Sequence, residues 1–152
     1  MKSTFLSILI SIILTSSVWA QGNDKNVLYQ GLKTITTCQA TFKIAAYYSG
    51  IYYMFKESVE NMTTDSSLIE MLKEDWLEAE KISIMLQRSL QPYISNINQD
   101  VISLYNDISM GLLINGLDAS DDKELRQHVQ NLFRLSKDCK THIETISESL
   151  KN

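Results

Sequence analysis

From Leu28 to Tyr52 the chain repeats one pattern without interruption. Leu28, Leu32, Ile35, Cys38, Phe42, Ala45, Ser49 and Tyr52 are apolar or small residues spaced by threes and fours. That spacing returns each side chain to one face of an α-helix and cannot keep one face of a strand. Ile44, Tyr48, Ile51 and Phe55 repeat the steps on a neighbouring stripe. At 100° per residue the two stripes cover roughly 200° of the helix, more than two neighbours in a bundle need. Lys43, Tyr47, Gly50 and Met54 remain for the other side.

Three further segments carry the same period. The first reads as a continuous helix from Asn26 to Glu60, after a polar start "QGNDKN". The polar run "ENMTTDSSL" then ends it, and Ser67 with Glu70 has the spacing of a capping box opening a second helix. That helix carries Leu68, Leu72, Trp76, Ala79, Ile82, Leu86 and Leu90 inward, and leaves Leu77 and Ile84 on its outer side. Pro92 marks a turn. The third helix carries Ile97, Val101, Leu104, Ile108 and Leu112 and is expected to stop at Asn115-Gly116. The last starts at Ser120 or Asp121 and places Leu125, Val129, Leu132, Ser136, Cys139, Ile143, Ile146 and Leu150 on one seam. One proline and five glycines in 152 residues are too little punctuation for a sheet-rich fold. The expected fold is all-α, an antiparallel up-down-up-down four-helix bundle.

Cys38 and Cys139 are the only cysteines, and both fall on inner faces. Each lies about 17 Å from the shared end of the first and last helices at 1.5 Å per residue, so antiparallel neighbours would bring them level. The expected disulfide joins those helices and closes a loop of about 100 residues, worth roughly 4.7 kcal/mol in chain entropy. No CxxC partner makes it redox-active.

Residues 1–20, "MKSTFLSILISIILTSSVWA", have the layout of a secretion signal: Lys2, an apolar run from Phe5 to Leu14, and the small residues Val18 and Ala20 before a cut. The run is short for a membrane span, which needs about 20 apolar residues, so no stable anchor is expected after cleavage. Residues 21–152 then form one domain, exported to a periplasm or secreted, in keeping with a disulfide. Losing Lys2 takes the net charge from −4 to −5. An acidic chain with no basic cluster is not built for nucleic acid.

No constellation of catalytic type is present, and the expectation is a protein without enzyme activity, cofactor or metal. His128 and His142 stand fourteen residues apart on one helix, about 21 Å, too far to share an ion. Glu124 and Asp138 precede them by four, the spacing of surface pairs. "DCKTH" lacks the two thiols of a covalent haem site. There is no GxSxG elbow or phosphate-binding glycine loop. Asn61-Met62-Thr63 is an N-glycosylation triplet.

Attention therefore falls on "AAYYSGIYYMF", with four tyrosines in seven residues. Tyr47, Tyr53, Met54, Leu77 and Ile84 are the candidate partner-binding residues, because tyrosine is a common interface anchor and these positions fall outside the inner faces. The function expected is binding of another protein, as an inhibitor, an immunity protein or an assembly chaperone does, with a second copy of the chain among candidate partners. The alternative is a carrier whose interior, lined by Tyr48, Tyr52, Phe55 and Trp76, holds a small apolar ligand or noncovalent haem.

Overall fold

The structure, a computed structural model, describes residues 22–94 and 98–149. The proposed signal, residues 1–20, and the expected inner residues Ile97 and Leu150 lie outside them. Among the described residues there are six α-helices, one 3-10 turn and no strand: α1 Gly22–Met54, α2 Lys56–Met62, α3 Ser66–Leu72, α4 Trp76–Leu90, the turn Gln91–Tyr93, α5 Asn98–Leu117 and α6 Asp122–Ser149. The fold is all-α. Helix α1 is its centre, packing against α4, α5 and α6. All eight residues of its primary stripe, Leu28 to Tyr52, are buried.

The core is built around a three-ring stack. Trp76 lies nearly parallel to Phe42 with centroids 6.1 Å apart, and Phe133 meets its other neighbour side at 5.8 Å and 60°. All three are at most 1% exposed. Contacts of this kind add to a large apolar burial. Ser83 and Ser136 lie in the same interior with no exposure, and each hydroxyl is satisfied by a carbonyl of its own helix, Glu80 and Leu132. A separate small cluster of Leu28, Leu32, Ile94 and Val101 seals the opposite end of α1. Pro92 sits in the 3-10 turn next to Ile94, as the turn reading expects. Cys38 and Cys139 form a disulfide with Cα atoms 5.6 Å apart.

Five local expectations are corrected. The polar start is helical from Gly22. The helix expected to run to Glu60 breaks at Phe55, which has φ −125° and ψ 34°. Phe55 is left 58% exposed rather than packed inward. The second expected helix is also divided, because Asp75 restarts the backbone ladder: its carboxylate accepts the Leu77 N–H at 3.0 Å. Tyr53 donates its hydroxyl to the carbonyl of Lys73 at 3.0 Å, providing a partner at that division. The cap of α3 is Asp65, not Ser67 with Glu70. Its Oδ1 accepts from the N–H groups of Ser67 and Leu68, while Gln130 donates to Oδ2 at 2.6 Å. The extra hydrogen bond across to α6 fixes the aspartate where a serine could not reach. Finally α5 continues through Gly116 to Leu117.

The start of α6 follows expectation. Asp121 accepts the Glu124 N–H at 2.8 Å, and Glu124 accepts from both the backbone and the hydroxyl of Ser120. Those bonds hold the Glu124 carboxyl below its ordinary range.

Candidate functional site

The two helix breaks and the end of α5 leave one end of the core unfilled. Tyr48, Ile51 and Tyr52 from α1, Val59 and Met62 from α2, and Leu68 and Leu72 from α3 form one side of a pocket. Leu113, Gly116 and Leu117 of α5 with Leu125 and Val129 of α6 form the other. Its volume is about 300 Å³. That is twice an apolar cavity of about 150 Å³ that admits a benzene ring. Thr63, Asp122 and Arg126 are its few polar contributors.

Three features shape the walls. Tyr48 lies against Gly116 so closely that a Cβ there would fall 1.9 Å from the Tyr48 hydroxyl oxygen and 3.1 Å from His128 Cδ2. Gly116 is thus required by close approach rather than by a helix stop. His128 meets the Tyr48 ring at 6.3 Å and bonds through Nε2 to the Leu112 carbonyl at 2.8 Å. A carbonyl only accepts, so Nε2 carries the proton. The expected surface pair of Glu124 with His128 does not form, since each residue has these other partners. Tyr52, 1% exposed, donates to Glu60 Oε1 at 2.8 Å and ties α2 to α1. Burial, then that hydrogen bond, then the Glu60 charge push the Tyr52 phenol up to about 12. Burial foremost, with Tyr47 beside it, also raises that of Tyr48.

The candidate residues separate on this geometry. Tyr48 and Tyr52, two of the four expected to line an interior site, line the pocket. Trp76 does not; it belongs to the packed ring stack. Phe55 does not either, because the break turns it outward. Of the candidate partner residues, Tyr47, Tyr53 and Met54 are 53%, 62% and 70% exposed, and Tyr47 also lines the pocket. Leu77 is exposed on α4, while Ile84 is partly buried and is not the outward residue expected. The contributions of Met62, Leu117, Leu125 and Val129 were not among the candidates. Leu125 and Val129 had the signal of a core seam, and nothing in their spacing distinguishes a filled seam from an unfilled one.

A second polar feature lies away from the pocket. Glu80 is 9% exposed on α4, and burial raises its carboxyl although Lys43 opposes the shift. Tyr105 on α5 is raised by burial foremost and by the Glu80 charge. Among the described residues no group of three or more histidine, cysteine or acidic side chains is placed to hold a metal ion. No helix among them is long and apolar enough to cross a membrane. No protein family, curated protein or solved structure matches the chain.

Proposed function

We propose that the chain is an exported, non-catalytic binding protein. It is an up-down-up-down bundle that engages another protein through the aromatic end of α1. The observation that carries this reading is a continuity. Tyr47, Met62 and Leu117 are 53%, 56% and 73% exposed, and the same three side chains line the pocket. A concave apolar site whose rim stays apolar in solvent is arranged for an anchor residue and the surface around it. The antiparallel arrangement rests on two pairs. Cys38 meets Cys139, and Tyr48, ten residues further along α1, meets His128, eleven residues back along α6. Export rests on the signal-like residues 1–20 and on the disulfide, which persists in oxidising compartments.

The test is capture of the partner from the native compartment by the oxidised protein, in parallel with Tyr47→Ala/Leu117→Ala. Loss of the captured protein with an unchanged unfolding midpoint supports the reading. Retention of the same partner by the variant removes this rim from the interface.

The pocket volume favours a second reading, a carrier of a small apolar molecule, since ligand sites begin at about 300 Å³. Haem is a poorer fit. No histidine lines the pocket, and His128 Nε2 is taken by the Leu112 carbonyl. A hydrophobic dye that brightens on binding, and is excluded by Ile51→Trp, would favour the carrier.

A further inference from the structure

The chain's charge is not spread evenly. Lys56 to Asp65 and Asp118 to Arg126 hold seven carboxylates against three cations, a net of −4. The rest of residues 21–152, with eleven acidic and ten basic residues, is nearly neutral. Both segments flank the pocket mouth. Arg126 donates to the Met62 carbonyl at 3.3 Å, Gln130 to Asp65 at 2.6 Å, and Met62, Asp122 and Arg126 are themselves lining residues. Glu57, Glu60, Asp118, Asp121, Asp122 and Glu124 are all exposed. Four of the five excess negative charges on residues 21–152 thus lie on two segments that flank one apolar opening. Carboxylates placed this way focus a negative potential over the opening and favour approach of a cation.

We infer that the occupant is a basic amphipathic polypeptide segment. One large apolar side chain sits in the pocket, and Lys or Arg residues on either side of it meet the acidic ring. This rests on the protein-binding reading above. Size favours a polypeptide over a small cation. The pocket takes about one large side chain, whereas Tyr47, Met62 and Leu117 continue the apolar surface outside it. The carboxylates lie on two separated segments, α2 with its following loop and the α5–α6 connection. A segment crossing the mouth reaches both.

Two labelled helical peptides with one apolar face and a single tryptophan test it, one with lysine at every polar position and one with glutamate. Binding to the oxidised protein is read by anisotropy. The lysine peptide should bind at least about tenfold tighter at about 0.05 M salt, and the gap should narrow by about 0.5 M. Glu57→Gln/Asp118→Asn/Asp122→Asn, which spares the caps, should weaken it about tenfold, three exposed pairs each being modest. Ile51→Trp, or Leu113→Trp from the opposite wall should the first not fold, should abolish it. Equal binding of both peptides, lost on filling the pocket, overturns the basic partner and leaves the protein-binding reading standing. Lysine-peptide binding that ignores the filled pocket is surface adsorption and overturns the inference. A dye that enters the pocket while neither peptide binds overturns both readings in favour of the carrier.

Discussion

The two ends of α1 are made of similar residues and are finished differently. At the amino end Leu28 and Leu32 meet Ile94 and Val101, and the 3-10 turn at Pro92 brings Ile94 down onto them. At the carboxyl end Tyr48 and Tyr52 face a space of about 300 Å³. Apolar periodicity alone does not close a core. Closure at the first end comes from a connection that folds its own apolar residue, Ile94, inward. At the second end the connections from α1 to α3 and from α5 to α6 are polar, and the short helix α2 contributes no fully buried side chain. Packed interiors tolerate few voids larger than water, so an unfilled end bordered by exposed aromatics is the feature on which the binding proposal rests.

The contrast can be broken first in the middle. Phe133→Ala removes a fully buried ring from the stack with Trp76 and should cost about 3–5 kcal/mol in denaturant unfolding. Leu113→Ala, at the pocket wall, should cost clearly less, because no tight packing is lost on its pocket side. Equal losses would mean that the pocket end is as tightly packed as the stack. Replacing both cysteines with alanine comes next, with a loss of about 2–4 kcal/mol expected, as for most disulfides, below the chain-entropy ceiling of roughly 4.7 kcal/mol for this span. Unfolding midpoints that ignore reductant would show that the bond contributes nothing.

Gly116→Ala sharpens the comparison at the pocket itself. The new methyl collides with the Tyr48 hydroxyl and should cost about 1–3 kcal/mol. Tyr48→Phe added to it should recover part of that loss by removing the oxygen. Absence of any recovery would place the collision elsewhere, on His128.

A pH titration gives a smaller effect. Tyr52 ionises at about 12 when folded, above the ordinary 10. The unfolded chain therefore releases this proton first, and stability present below pH 10 is lost as pH rises from 10 towards 12. Tyr52→Phe should flatten that decline while sacrificing the Glu60 bond, and an unchanged slope would exclude Tyr52 as its source. The smallest effect is at Glu80, whose raised carboxyl favours the folded state below its unfolded range and loses that benefit as pH climbs through its folded value. Glu80→Gln should thus be neutral or slightly stabilising at pH 7, and a marked loss would reveal a charged partner.

The α1 face was legible residue by residue, since every third or fourth position had to be apolar and each is buried. The disulfide was legible because only two cysteines existed and both fell on inner seams. The helix breaks were not. At Phe55 nothing in composition separates a bend from a straight run, and at Asp75 a capping residue outweighs the apolar period on either side. The pocket follows from those breaks, so it could not be read either. Of the expected interior lining, Tyr48 and Tyr52 border the pocket, because they share the inner arc. Trp76 was assigned to a ligand although two rings, Phe42 and Phe133, from α1 and α6 already flank it. Spacing reports which face a residue takes, not what stands opposite.

Helix α2 is held by the Tyr52–Glu60 hydrogen bond, by Arg126 on the Met62 carbonyl and by the partial cover of Val59. Segments with so little burial open at a small fraction of the global free energy. Its seven amides should therefore trade deuterium well ahead of those in α1. Such an opening would bare the tyrosine-lined pocket and leave the ring stack behind it intact.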